Sequence, residues 1–316
     1  MMDFKPLSGR EFPRYSALKT FFRLPYVTPD DPEFAQVEVA LYGLPFDGGV
    51  SYRPGARFAP SRVREMSSLG RGFHVSHGHN VFAQMRVADV GDCPTVPIDA
   101  GQTYSRIESF VTGLVKQKRK VIGVGGDHSV TLPVLRALRK AYGEPLGLIH
   151  FDAHLDTYPA AWGCEVHHGS FARHAVEEGL VDPKRMLQIG IRGPLAGGDD
   201  WDFVRSHGIQ VCTIDDIRSG SLKEFIARLP AFDSRPTYLT FDVDGLDPAY
   251  APGTGTPVIG GMTTYETQQI LRSLKVQNLV GGDVVEISPP YDQSDITSLV
   301  GVDVMFEIMN LMVPKK

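Results

Sequence analysis

The segment Leu146-Gly147-Leu148-Ile149-His150-Phe151 runs straight into Asp152-Ala153-His154-Leu155-Asp156. Nearly continuous apolar character fits a strand buried on both faces, the signature of a parallel sheet covered by helices on either side. Three metal-type side chains follow as soon as the apolar run ends. Side chains alternate along an extended chain, so Asp152, His154 and Asp156 are expected on one side of it. Two carboxylates and an imidazole at that spacing make half of a divalent-metal site, whose remaining ligands must come from neighbouring strands. A fold that satisfies this segment has to bring several strand ends together.

The rest of the chain alternates in the way such a fold needs. Further strands are predicted at 37–44, 86–90, 120–124, 185–191, 209–214, 237–243 and 279–287. Helices are predicted at 60–66, 103–118, 132–142, 168–178, 222–229, 265–274 and 298–312, with the second set by the spacing of Ile107, Phe110, Val111, Leu114 and Val115. This alternation predicts an α/β protein, a three-layer α/β/α sandwich with a mostly parallel open sheet. Ligands of such sheets sit beyond the carboxyl ends of the strands. Residues 1–36, with prolines and aromatics in no clear period, are expected as an irregular N-terminal arm lying on the domain or on a neighbouring subunit. No linker divides 37–316, which is expected as one domain.

Charge and cysteine usage narrow the partners. A net charge of −5 without any Lys/Arg block argues against nucleic acid and leaves a small molecule. No apolar run reaches the roughly 18 residues of a membrane span, and the first residues carry Arg10, Arg14 and Arg23 without a signal-peptide core. Cys93, Cys164 and Cys212 are odd in number and widely spaced, so they form neither a disulfide framework nor a zinc cluster. A cytoplasmic location is expected.

Two other strand ends carry the same kind of residue. His128 follows Gly125-Gly126-Asp127, and Asp242 and Asp244 follow Tyr238-Leu239-Thr240-Phe241, again two apart. An aspartate after a strand is ordinarily a helix cap or turn residue. Four carboxylates and two imidazoles buried together without cations would be prohibitively costly, however. The set exceeds what one divalent ion uses and suits two ions sharing bridging carboxylates. Hard carboxylate oxygens mixed with imidazole favour Mn2+, with Ni2+, Co2+ or Zn2+ as alternatives. Two ions about 3.5–4 Å apart would depress the pKa of a water between them and make it a nucleophile.

At this point the motifs Gly125-Gly126-Asp127-His128-Ser129, Phe151-Asp152-Ala153-His154-Leu155-Asp156, Phe241-Asp242-Val243-Asp244-Gly245-Leu246-Asp247-Pro248 and Ala251-Pro252-Gly253-Thr254-Gly255-Thr256-Pro257 resemble those of the ureohydrolase (arginase/agmatinase) family. The likeness spans about 37–312, the catalytic domain of such a protein. It points to the agmatinase and guanidino-acid hydrolase branch through residues 251–261, Gly163-Cys164-Glu165 and Tyr291-Asp292-Gln293-Ser294. The resemblance implies an arginase-like fold, hydrolysis of a guanidinium group to urea and an amine, and assembly as a homo-oligomer, a trimer or hexamer. It implies one Mn2+ on His128, Asp152, Asp156 and Asp242, and a second on His154, Asp152, Asp242 and Asp244, with Asp152 and Asp242 bridging. Glu286 would pair with and orient the guanidinium; without the resemblance it would equally be a strand-end salt bridge. His168 would shuttle a proton to the leaving amine. His167 is its rival, and His168 is favoured because Gly169 follows it.

The substrate tail is read by loops. Glu165 would accept the amine of agmatine, whereas Arg53, Arg57 or Arg71 would bind the carboxylate of 4-guanidinobutanoate, 3-guanidinopropanoate or a related amidinohydrolase substrate. The balance lies slightly toward agmatine, cleaved to putrescine. A reading of another class is an inactive metal-binding subunit that regulates an active paralogue; the complete ligand set counts against it. Two-metal phosphoester hydrolysis lacks a Gly-rich phosphate cradle. His150 is expected as a satisfied core histidine, His74, His77 and His79 on the surface or substrate rim, and Cys164 in the pocket lining.

Overall fold

The computed structural model describes residues 2–195 and 197–314; Met1, Lys315 and Lys316, the outermost residues of the expected arm and domain, lie outside the described residues. Its central sheet comprises β1 (Val39–Gly43), β2 (Val87–Asp92), β3 (Lys120–Val124), β4 (Leu146–Phe151), β5 (Val181–Ile191), β6 (Gln210–Thr213), β7 (Thr237–Asp242) and β8 (Leu279–Val285). They lie side by side in the order β2-β1-β3-β8-β7-β4-β5-β6, every pair parallel. Every carboxyl end therefore falls on the same edge. The predicted sandwich is what forms.

Burial explains why these segments read as continuous apolar runs. β1, β4, β7 and β8 are buried at every position. Alternate side chains enter two separate cores: Ile149 and Phe151 join one, Leu146 and Leu148 the other. Each such side chain contributes about 1.5–3 kcal/mol when fully buried. One core is closed by α1 (Ala59–Ser67), α6 (Ile214–Arg218), α7 (Leu222–Arg228), α8 (Thr264–Ser273) and α9 (Ile296–Met312), the other by α2 (Ala100–Leu114), α3 (Thr131–Tyr142), α4 (Phe171–Glu177) and α5 (Asp199–His207).

Departures from expectation are local. Helix α2 starts three residues early because Asp99 caps it, accepting the Gln102 N–H at 2.8 Å. The predicted helix 168–178 is a 3-10 turn, His168–Ser170, followed by α4. Helices α5 and α6 were not foreseen; one is strongly acidic in its first turn and the other has only five residues. The arm packs on its own chain: Phe21, Phe22 and Val27 are buried, and the Phe21 N–H is bonded to Asp89 at 2.9 Å. Among the described residues no helix is long and apolar enough to cross a membrane.

A short hairpin, Phe73–His74 with His79–Asn80, is pinned to α9 by a buried carboxylate. Glu307, 1% exposed, meets His77 at 2.6 Å and Arg272 of α8 at 2.7 Å. His74 and His77 thus serve the packing of α9, His79 packs on His77, and none of the three lines the cavity described below, which removes them from the substrate rim. Glu307→Ala would leave Arg272 without its buried partner and should cost about 3 kcal/mol, read as a lower urea midpoint at unchanged slope. A loss below about 1 kcal/mol would show the cluster to be effectively solvated.

Candidate metal centre

The carboxyl ends of β3, β7 and β4 supply all six metal-type residues, and β8, which lies between β3 and β7, supplies Glu286. After β3 the chain makes a tight passage that only glycine allows: a Cβ on Gly126 would lie 1.5 Å from the Phe46 carbonyl oxygen. Asp127 then accepts the Ser129 N–H at 2.9 Å and directs His128 inward. The expected alternation does not bring Asp152, His154 and Asp156 together, because β4 stops at Phe151 and the chain bends at Ala153 and His154. Asp156 reaches the site from a left-handed backbone, φ 52°. Asp242 likewise ends β7, and its Oδ1 accepts the Asp244 N–H at 2.8 Å within a 3-10 turn. Convergence is produced by turns rather than by continued strands.

Six side chains nevertheless meet. His128 Nδ1 lies 3.0 Å from Asp156, 3.2 Å from Asp152 and 3.4 Å from Asp242. His154 Nδ1 lies 3.3 Å from Asp152 and 3.2 Å from Asp244. Asp152 faces His128 with Oδ2 and His154 with Oδ1, the geometry of a shared carboxylate. Asp242 presents only Oδ2 to this space, its other oxygen being held by backbone. His128 Nδ1 is buried and makes no hydrogen bond. A buried ring nitrogen ringed by three carboxylates fits a divalent cation, and the donor set fits two.

The electrostatics agree. Burial opposes charge on His128 and His154, but contacts with Asp152, Asp156 and Asp242 for the one, and with Asp244 and Asp152 for the other, raise both pKa values well above the ordinary imidazole range. Burial and neighbouring carboxylates raise Asp242 well above its usual value, and burial raises Asp244. Without metal the cluster holds protons in the place of cations. His150 is buried and satisfied, as expected, but its partner is the centre itself: Nδ1 faces the Gln188 amide nitrogen at 3.0 Å, so Nε2–H donates to Asp152 Oδ2 at 2.8 Å. It braces a ligand and is not one.

Glu286 follows β8 with φ 62°, a left-handed conformation costing about 1–3 kcal/mol in a non-glycine residue. Its Oε1 accepts the His128 N–H at 2.9 Å and faces His168 Nδ1 at 3.1 Å, while Oε2 is buried without a partner. On the other side of His168, Nε2 meets Ser51 Oγ at 2.8 Å and the Ser51 N–H at 3.2 Å. The amide favours a lone pair there and the carboxylate a second proton; the full charge of Glu286 prevails over an amide dipole. Burial works against the imidazolium, yet the Glu286 hydrogen bond and charge lift the His168 pKa to about 9. His167 lines the cavity over the cluster as well, but its Nε2 faces the Pro159 carbonyl at 3.1 Å and not Glu286.

A cavity of 420 Å³ opens over the cluster, lined by His154, Asp156, Asp242 and His168 together with Ser51, Tyr158, Trp162 and Thr256. Tyr158, Trp162 and Thr256 were not foreseen. The only sequence signal for them was nearness to the metal motifs, since no periodicity marks a loop. Trp162 and Gly163 form a two-residue turn closed by Ala161 and Cys164, both central residues at positive φ, which holds the indole at the rim.

Several expected pocket residues are elsewhere. Glu165 and Cys164 are exposed and absent from the lining. Glu165 meets Ser170 and His174 through its backbone carbonyl. Arg57 is committed to the buried Asp47, which also accepts the Gly55 N–H at 2.7 Å, and Arg71 is exposed. Arg53 is different. Its guanidinium stacks on Tyr52 and Tyr291, 5.5 and 5.2 Å from their centroids, and has no ion-pair partner among the described residues. Its carbonyl oxygen and Glu286 Oε2 lie 3.1 and 3.5 Å from the point a Cβ on Gly255 would occupy.

An eight-stranded parallel sheet with this cluster at its carboxyl edge defines a metal-dependent hydrolase, and the chain belongs to the Arginase family, whose model matches residues 37–310. It is 45% identical over 310 residues to a guanidinopropionase of Pseudomonas aeruginosa, covering 98% of this chain and 96% of that one. An agmatinase of Cronobacter sakazakii is 38% identical, with 94% of each chain covered. The solved structure of proclavaminate amidinohydrolase from Streptomyces clavuligerus superposes with a TM-score of 0.84 at 39% identity, over 94% of this chain and 97% of that one. The protein is a hydrolase acting on C–N bonds of guanidino compounds, and its His/Asp cluster fits the family's binuclear metal dependence.

Metal uptake should displace the protons held by the cluster. Calorimetric titration of the metal-free protein with Mn2+ in two buffers of different ionisation enthalpy is expected to show net proton release near neutral pH, with affinity falling as pH falls. Buffer-independent uptake would exclude these imidazoles and carboxylates as the ligands.

Proposed function

We propose that the protein hydrolyses a guanidino acid, such as 3-guanidinopropanoate or 4-guanidinobutanoate, to urea and the corresponding amino acid, using two Mn2+ ions. The first would be held by His128, Asp152, Asp156 and Asp242, the second by His154, Asp152, Asp242 and Asp244. The observation that carries the reading is the unpartnered, buried Oε2 of Glu286 beside a complete ligand cluster. A carboxylate oxygen left without a donor in that position suits a planar cation with N–H groups to give. When bound, the ions supply a water activated as nucleophile and offset the charge of the carboxylates.

The chain's own residues then have separable tasks. Glu286 holds the guanidinium by charge and orients its carbon toward the ligand cluster. His168, protonated below about 9, gives a proton to the amine nitrogen as its bond to carbon breaks. Ser51 fixes the far side of that imidazole. Trp162 and Tyr158 wall the cavity against bulk water. The acid tail is assigned to Arg53, whose guanidinium lies over Tyr52 and Tyr291 without an ion-pair partner among the described residues, and whose backbone carbonyl lies beside Glu286 Oε2 at Gly255. Agmatine loses its slight advantage because the carboxylate expected to receive its amine, Glu165, is exposed and meets its neighbours through its backbone carbonyl, whereas Arg53 is half-buried beside two tyrosines. The names of the guanidinopropionase and the amidinohydrolase relatives lend the same support. Retention of Glu286 and His168 with all six ligand positions speaks against an idle regulatory subunit. Trimeric or hexameric assembly and a cytoplasmic location belong to the same reading.

Urea release measured over agmatine, arginine, 3-guanidinopropanoate and 4-guanidinobutanoate tests it, with an acid-tailed substrate expected to be turned over best. Arg53→Gln should lower kcat/KM for that substrate about tenfold or more and leave agmatine, if it is turned over at all, nearly unchanged. An equal loss on both would make Arg53 structural. His168→Asn should lower kcat by about 100-fold without changing metal content. In the unaltered enzyme, the proton-donating form of His168 is lost as pH rises, so turnover should decline through about 9.

A further inference from the structure

Beneath the cluster lies a second, wholly buried carboxylate outside every ligand set described above. Asp283, on β8, is 0% exposed and accepts three hydroxyl hydrogens: from Thr240 at 2.6 Å, Thr131 at 2.8 Å and Tyr238 at 2.9 Å. Among the described residues no Lys, Arg or His forms an ion pair with it. Thr240 and Asp283 are register partners of β7 and β8, so the sheet itself sets them side by side. The same Thr240 oxygen lies 2.8 Å from Nε2 of His128.

We propose that Asp283, acting through Thr240, is a positioning residue that fixes His128 in the tautomer a metal ion requires; the inference rests on the two-ion reading of the site. A hydroxyl has one hydrogen. Burial raises the Asp283 pKa, opposed by nearby His128 and by the three hydroxyl donors, which serve the charged form. As an ionised carboxylate it can only accept, so that hydrogen is committed to Asp283 and Thr240 can meet His128 only with a lone pair. Nε2 must then carry the imidazole proton, and Nδ1 is left with its lone pair. Nδ1 is the atom that faces Asp152, Asp156 and Asp242 and has no hydrogen-bond partner. Without the anion, Thr240 could turn its hydrogen toward Nε2, and the proton would sit on Nδ1, where a cation has to bind. A negative charge at the end of the chain also makes the imidazole a better donor to metal. The arrangement further ties the His128 main chain, whose N–H serves Glu286, to the rigid centre of the sheet.

Three variants and one structure test this. Calorimetric titration with Mn2+ should show two ions per chain for the unaltered, metal-stripped protein. Thr240→Val and Asp283→Asn should weaken one of the two by about 10–100-fold, while Thr240→Ser, which keeps the hydroxyl, should bind both as before. Thermal unfolding of the metal-free variants separates this from loss of fold. Unchanged affinity for both ions in Thr240→Val would overturn the proposal. If that variant does not fold, a crystal structure of the unaltered protein with Mn2+ decides: ligation of His128 through Nδ1 with Nε2 on Thr240 supports the relay, and ligation through Nε2 overturns it. A protein that takes up no Mn2+ at all would instead remove the two-ion reading on which the relay depends.

Discussion

Carboxylates that cannot lie together without cations between them organise this molecule. Asp152 and Asp156 present oxygens within 4.8 Å of each other and of His128. Like charges at such a separation repel by about 3–4 kcal/mol even at an effective dielectric constant of 20, and Asp242 and Asp244 add to the crowd. The metal-free cluster answers with protons, seen in the raised pKa values of Asp242, Asp244, His128 and His154. Two divalent ions would answer it better, because each brings a double positive charge to several carboxylates at once.

The fold makes this crowding tolerable by spreading the ligands over the ends of three strands, β3, β7 and β4, and then surrounding them with neutral donors. Asp152 takes the His150 N–H, Asp242 and Asp244 take backbone N–H groups, and Glu286 takes the His128 N–H. Asp156 and Glu286 sit at positive φ, so part of the packing energy of the sheet is stored as local strain that aims both carboxylates inward. Substrate recognition is built differently. On the proposed reading the guanidinium pole would lie against this rigid layer and the tail would face loops carrying Ser51, Arg53, Tyr158 and Trp162, whose placement owes nothing to strand register.

That division decides what could be read in advance. The sheet and its helices were legible because uniform apolar runs and helical spacing are consequences of burial on two faces; Ile149 and Phe151 serve one core, Leu146 and Leu148 the other. The metal residues were legible because so many anions and imidazoles gathered at strand ends need cations to neutralise them. The cause of their convergence was not legible, since turns at Ala153-His154 and after Asp242 do what alternation was expected to do. Glu165, Arg57 and Cys164 were misplaced for a common reason: a loop side chain's direction depends on tertiary partners, such as Asp47 for Arg57. Asp283 carried no signal at all, being one polar residue inside an apolar strand.

Catalysis on this reading depends on two ions held together through Asp152. Urea release from an acid-tailed guanidino compound, followed while Mn2+ is added stepwise to the stripped enzyme, tests that dependence most directly. Activity should stay low through the first equivalent per chain and rise with the second. Full activity at one equivalent, or in the metal-free enzyme, would contradict it.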